Sequence, residues 1–247
     1  MKIGLISDIH GNLHALERVL DYLSMHDVGL ILCAGDIVSY GAYPNQVIRR
    51  LREENVSCVA GNYDDAVAWD RPRASRQSST PLNEPLKQAA LDWSKKHVSP
   101  YNRQYLQSLP WISKFVIDGW TISLIHAGLD HLDEWHTPDS PDSLSLLASR
   151  LASDVVVLGH THQAFTYYTE RTRFVNPGAV GRSLDGDLRA SYAILDTRQL
   201  KVDFLRVGYD VQAATQAIID CGMPEEIAWM VRHGARRIEE VMTHENS

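Results

Sequence analysis

The chain opens on Lys2-Ile3-Gly4-Leu5-Ile6-Ser7-Asp8-Ile9-His10-Gly11-Asn12. A short apolar run ends here in a carboxylate and an imidazole two residues apart, and Leu13, Leu16, Val19, Leu20 and Leu23 follow at helical spacing. The pattern predicts a buried strand over residues 2–7 and a helix over 12–26, with Asp8 and His10 at the junction. It then repeats: residues 29–34 read as a strand, 44–54 as a helix and 56–60 as a strand. Strands alternating with helices across short connections point to βαβ units and a sheet covered on both faces.

The polar ending recurs as well. Ile31-Leu32-Cys33-Ala34 runs into Gly35-Asp36, and Cys58-Val59-Ala60 into Gly61-Asn62. Ser123-Leu124-Ile125 runs into His126, and Val156-Val157-Leu158 into Gly159-His160-Thr161-His162. In open α/β sheets the ligand site lies at the carboxyl ends of the strands. Asp8 with His10, and His160 with His162, are spaced to share one face of an extended chain. Two carboxylates, four imidazoles and the Asn62 amide suit Mn, Fe or Zn better than Mg or Ca, which prefer all-oxygen shells. Seven ligands exceed the needs of one ion, and two divalent ions sharing a carboxylate fit the count. Such a pocket is positively charged, and phosphate is a natural anion for it. A single histidine at a strand end is ordinarily a satisfied core or surface residue. Five ligand-bearing strand ends in one chain have no such bland account.

Composition narrows the reading. Among 247 residues, 24 Lys and Arg stand against 31 Asp and Glu, a net charge of −7. An acidic chain argues against duplex DNA as partner, because phosphate contacts need a basic face. No apolar run approaches the roughly 20 residues of a membrane span. The apolar N-terminus breaks at Ser7-Asp8, too early for a secretory signal, so a cytoplasmic location is expected. Cys33, Cys58 and Cys221 form no CxxC pair and read as reduced core residues.

A single domain over residues 1–247 is expected. The alternation breaks at a helical insertion, about 66–114, with a loop at 71–81 and helices at 85–97 and 100–109; it reads as a small cap. Strands follow at 112–117 and 120–125 around the turn Asp118-Gly119. A helix at 144–151 precedes strands at 155–158, 164–169 and 173–175, and a late hairpin joins 191–196 to 200–206. C-terminal helices, 211–221 and 225–243, occupy about 209–247.

Together, Asp8-Ile9-His10, Gly35-Asp36, Gly61-Asn62-Tyr63-Asp64, His126 and Gly159-His160-Thr161-His162 resemble the calcineurin-like metallophosphoesterase superfamily. Ser7–Asn12, Gly35–Gly41, Asn176-Pro177-Gly178 and Asp185-Gly186-Asp187 resemble its small bacterial phosphodiesterase-type branch. The resemblance implies an α/β fold, a two-layer β-sandwich of mixed sheets flanked by helices. It implies that Asp8, His10, Asp36 and His162 hold one metal, and that Asp36 bridges to a second held by Asn62, His126 and His160. A hydroxide shared by the two ions would attack phosphorus, and Asp36, Asn62, Tyr63, Asp64 and His126 are the catalytic candidates. Manganese is the first choice of ion, with Fe, Zn or Ni as alternatives. The family usually carries His at position 63. Tyr63 here points to a phosphodiesterase, since relatives lacking that histidine tend to be so described.

Other residues read less sharply. Asn12 caps the first helix or faces phosphate. Arg182 offers a planar fork for a phosphate oxygen. Arg71, Arg73 and Arg76 form a basic loop that would guide a nucleotide or merely be solvated. Tyr40 and Tyr43 suit a pocket wall, whereas Trp69, Trp93, Trp111 and Trp135 read as packing. The expected activity is hydrolysis of a small phosphoester, with a nucleotide among the candidates and a homo-oligomer left open. The alternatives are a serine/threonine protein phosphatase or phosphomonoesterase, and a non-catalytic metal-binding scaffold.

Overall fold

The computed structural model describes residues 1–76 and 80–245. The predicted loop at 71–81 and the C-terminal segment therefore lie partly outside the described residues. Two five-stranded sheets form the centre. In the first, β1 (Lys2–Ile6), β2 (Leu30–Cys33) and β3 (Ser57–Cys58) run parallel. Strands β9 (Ala190–Asp196) and β10 (Lys201–Val207) extend it antiparallel on the β1 side. In the second sheet, β5 (Trp120–Ile125), β6 (Val155–Val157) and β8 (Arg173–Pro177) are the parallel centre. Its edges are the antiparallel strands β4 (Ile112–Ile117) and β7 (Ala164–Tyr168). Both sheets are mixed, as the resemblance implied; the βαβ pattern alone described only the parallel part of the first.

Strand periodicity sorts the side chains into layers. Ile3, Leu5, Leu32 and Val59 of the first sheet meet Ile122, Leu124, Val155 and Val157 of the second in one apolar layer between the sheets. The alternate residues face outward onto helices. Ile6 and Cys33 join the cluster that holds α1 (Leu13–Ser24) and α2 (Pro44–Glu53). Ile125 and Val156 pack against Leu144, Leu147 and Leu151 of α6 (Pro141–Leu151). Such strands are buried on both faces, which is why they read as continuous apolar runs.

A short helix, α3 (Asn62–Ala68), follows β3 directly, a stretch to which the sequence pattern assigned no element. The Asp64 carboxylate accepts the Gly61 N–H at 2.9 Å and so stops the first turn from fraying. The insertion supplies α4 (Asn83–His97) and α5 (Pro100–Ser108). Ala90, Leu91, Val98 and Leu106 lie in the main apolar cluster beside Ala66 and Val67 of α3. These helices are therefore part of the core and support the element that carries Asn62. The C-terminal helix expected over 225–243 is broken into α8 (Glu225–His233) and α9 (Ile238–Glu245), after α7 (Val211–Asp220). Gly234, at φ +59°, is the left-handed residue that ends α8. Among the described residues, no helix is long and apolar enough to cross a membrane.

Candidate metal centre

The seven predicted ligands gather where both sheets end. Asp8 and His10 follow β1, Asp36 follows β2 and Asn62 opens α3 after β3, all from the first sheet. His126 follows β5, and His160 and His162 follow β6, from the second. Six of them fall into two groups, Asp8 with His10 and His162, and Asp36 with His126 and His160, and Asn62 stands beside the second. Each group draws on both sheets. His160 and His162 share a loop but fall into different groups, the division that the resemblance implied. Asp8 and His10 do converge, but not by strand alternation. Asp8, His10, Asp36, His160 and His162 all adopt positive φ, between 49° and 66°. Left-handed backbone at five non-glycine residues is costly, and it turns each side chain inward from a strand end.

Hydrogen bonds to the backbone aim the imidazoles. Nδ1 of His126 donates to Ala34 O at 2.7 Å, Nδ1 of His162 to Arg182 O at 2.6 Å, and Nδ1 of His10 to Val38 O at 3.3 Å. Each bond places the proton on Nδ1 and leaves a bare Nε2 lone pair facing the centre. The bare Nε2 atoms of His10 and His162 then face each other at 3.2 Å. Asn62 Oδ1 lies 3.0 Å from both His126 Nε2 and His160 Nδ1. Asp8 Oδ1 is buried with no hydrogen-bond partner, 3.3 Å from His162 Nε2. Lone pairs crowded together in this way repel one another unless a cation sits among them. The donor set thus fits divalent metal.

Asp36 occupies the middle. Its Oδ1 accepts the Tyr63 N–H at 2.9 Å, while Oδ2 stands 3.6 Å from both His10 Nε2 and His126 Nε2. Burial, followed by the charges of Asp64 and Asp8, pushes its carboxyl well above the usual range, so ionisation here calls for a cation. Burial, the largest single influence, would also raise Asp8, but the histidines around it, His162 first and then His126 and His10, together hold that carboxyl low. Burial keeps His10, His126 and His160 neutral, His160 pushed down to about 3. Neutral imidazole is the ligand form.

The remaining candidates separate. Asp64, fully buried, accepts N–H groups from Ile37, Val38 and Gly61 and does not line the cavity beside the metal ligands. It positions the loops of Asp36 and Asn62. Tyr63 does line the cavity, its hydroxyl 2.6 Å from that of Tyr40. Asn12 takes the capping alternative: its Oδ1 accepts Ala15 N–H, its Nδ2 donates to Gly181 O, and it does not line the cavity beside the metal ligands. Arg182, 8% exposed, lines the cavity, with its guanidinium 4.3 Å from the Tyr40 ring centre and its Nε without a hydrogen-bond partner. Asn176 donates to Gly159 O and Thr161 Oγ1 and steadies the His160–His162 loop. The basic loop is held elsewhere: Arg71 pairs with Asp65 and Arg76 with Asp133. Tyr43 lies in a separate recess beside His14.

Sequence reading missed Lys87, Trp135, Arg236 and Arg237, all of which line the same cavity of about 310 Å³. Trp135, taken for packing, has its ring centre 5.5 Å from that of His160 and carries the Arg236 guanidinium at 4.7 Å. The one available signal was Gly234, a helix stop two residues before the arginine pair.

Ligands gathered from the strand ends of two mixed sheets define a metal-binding hydrolase of the α/β-sandwich class. The chain belongs to the calcineurin-like phosphoesterase superfamily, whose domain matches residues 1–200. It is 33% identical over 240 residues to the uncharacterized protein MJ0912 of Methanocaldococcus jannaschii, covering 90% of this chain and 94% of that one. It is 26% identical over 212 residues to phosphodiesterase YfcE of Escherichia coli, covering 82% of this chain and 91% of the relative. A crystal structure of a metallophosphoesterase from Sphaerobacter thermophilus superposes with a TM-score of 0.75 at 29% identity, over 95% of this chain and 99% of that one. The protein is therefore a metal-dependent phosphoester hydrolase.

Proposed function

We propose that the protein is a dinuclear phosphodiesterase acting on a small phosphoester in the cytoplasm. The observation that carries this is Asp36 Oδ2, equidistant at 3.6 Å from one imidazole of each ligand group. A single carboxylate oxygen between two ligand groups is the geometry of a bridge. Asp8, His10 and His162 would hold one ion, and Asn62, His126 and His160 the other, with Asp36 common to both. Bound there, two divalent ions supply an activated water and positive charge for the phosphate oxygens. The chain itself supplies the frame, with proton positions on the histidines fixed by backbone carbonyls and Asp64 holding the Asp36 loop. Arg182, buried and without a carboxylate partner among the described residues, is placed to orient a phosphate oxygen. The imidazole-rich donor set suits Mn first, with Fe, Zn or Ni as alternatives.

Two points favour a diester. Tyr63 stands where the family usually carries histidine, and its hydroxyl is engaged with Tyr40. The relative YfcE is named a phosphodiesterase. The small cavity between α4 and the α8–α9 turn disfavours a phosphoprotein substrate, and retention of all seven ligands disfavours a scaffold. The test is hydrolysis of bis-p-nitrophenyl phosphate and p-nitrophenyl phosphate with Mn added, alongside elemental analysis. Diester turnover with two ions per chain is expected. Monoester turnover alone points to the phosphomonoesterase, and two ions without any turnover to the scaffold.

A further inference from the structure

The wall of the cavity away from the metal ligands is cationic, in a chain of net charge −7. Lys87 reaches it from α4, Arg182 from the loop after β8, and Arg236 and Arg237 from the turn between α8 and α9. Three separate parts of the sequence thus bring positive charge to one small space. Among the described residues, none of the three arginines has a carboxylate within ion-pair range. Lys87 has Glu84 only at 3.9 Å, the limit of that range. Burial disfavours its ammonium first; Glu84 and Asp133 favour it, and Arg182 and Arg236 oppose it. Other acids nearby are committed: Glu239 accepts from Asn83 Nδ2, and Glu240 accepts the N–H groups of Arg236 and Arg237. Arg182 is nearly buried, and its Nε lacks a partner.

Arg182 is buried and Lys87 largely so, whereas Arg236 and Arg237 stand exposed at the cavity rim, and an anion among the four gains from all of them. Of the four, Arg182 is the one whose charge acts on His10 and Asp36, so a phosphate at the metal ligands would engage it first. From this we infer a second anion subsite, formed by Lys87, Arg236 and Arg237 with Arg182 at its inner edge. It selects substrates that carry a second phosphate group besides the scissile one. Leu86, Leu184 and Met230 also line the cavity and suit a compact organic body between the two anionic ends. The volume, about 310 Å³, is at the lower limit of ligand pockets and favours small bisphosphates over long chains. This inference rests on the proposed phosphoesterase reading and specifies its substrate class.

The test uses the Mn-loaded full chain and two matched diester pairs, adenosine 2′,3′-cyclic phosphate with and without a 5′-phosphate, and ribose 1,2-cyclic phosphate with and without a 5-phosphate. Affinity is read by calorimetry and kcat/KM by opening of the cyclic diester. The doubly phosphorylated member of at least one pair is expected to bind and react about ten-fold or more better, and the pair that wins separates nucleotide from sugar chemistry. That preference is expected to collapse in Arg236→Ala/Arg237→Ala and in Lys87→Met, but to survive in Arg189→Ala on the outer surface. Lys87→Met lies on a well-packed helix and keeps the test open if the double variant fails to fold. No preference in either pair, or a preference unchanged in both cavity variants, overturns the subsite. If the aryl phosphoesters are not hydrolysed either, the phosphoesterase reading fails as a whole; if they are, only the second subsite does.

Discussion

Asp36 and Tyr63 meet at one hydrogen bond, the Tyr63 N–H to Asp36 Oδ1, and they set the chemistry from opposite sides. Asp36→Asn keeps the shape but removes the charge between the two ligand groups. It is expected to lower metal content at both positions and to abolish turnover; elemental analysis that still finds two ions would remove the bridging role. Tyr63 bears on the leaving group. A positioned general acid is worth roughly 10²–10⁴ in rate where the departing oxygen needs a proton. The phenol has a reference pKa of about 10 against about 6.5 for imidazole, and here its hydroxyl is engaged by Tyr40. Aryl phosphoesters, which leave without such help, are expected to turn over faster than alkyl ones. Tyr63→His is expected to raise kcat/KM for the alkyl substrate much more than for the aryl one, at matched metal occupancy. Equal effects would make Tyr63 a packing residue. The ligands were legible in the sequence because each follows an apolar run and carries a distinctive donor. Lys87, Arg236 and Arg237 were not, because a lone lysine on a helix or an arginine pair near a terminus looks like any solvated surface until the fold assembles them.

At the scale of elements, the site depends on how closely β2 and β3 bring their ends together. A Cβ on Gly61 would stand 2.2 Å from the backbone N of Asp36 and 2.2 Å from its Oδ1. Backbone cannot move aside as a side-chain tip can, so Gly61→Ala must part the two loops. The Asp64 carboxylate clamps these same loops to one another through Ile37, Val38 and Gly61. Gly61→Ala is expected to cost at least ten-fold in metal affinity, read by titration, and to lower the melting temperature. Gly208→Ala, where a Cβ meets nothing within 4 Å, serves as the neutral comparison. Identical metal binding by the two variants would show that the close approach is not needed. The short α3 escaped notice because seven residues give too little periodicity, and its cap is an aspartate that also reads as a catalytic group. The α8–α9 break escaped because apolar spacing continues through Gly234 as if the helix did. Strands fared better, since burial on both faces writes each of them as an unbroken apolar run.

For the whole molecule, the ligand groups lie across the junction between the two sheets. Asp8 and His10 reach His162, and Asp36 reaches His126 and His160, so each ion would tie the first sheet to the second. The apolar layer between the sheets holds the sandwich along most of its length. At the ligand end, buried lone pairs and carboxylates face one another instead. Without a cation that end is repulsive, and with one it becomes a cross-link present only in the folded chain. Ligand that binds only the folded state stabilises it by about 2.7 kcal/mol at a hundred times its dissociation constant. For a chain of this size each kcal/mol moves the melting temperature by about 2–4 °C. Removing the metal with a chelator is therefore expected to lower Tm by roughly 5–10 °C, and Mn added back to restore it. Amide exchange should rise together in the loops after β1, β2, β5 and β6, which come from both sheets. The loop at residues 183–189, held by Arg206 to Asp185 and Arg189 to Asp187, should not respond. Unchanged melting after complete metal removal would mean that the sandwich holds its ligand end without ions, and that the clustered lone pairs are tolerated by the apolar layer alone.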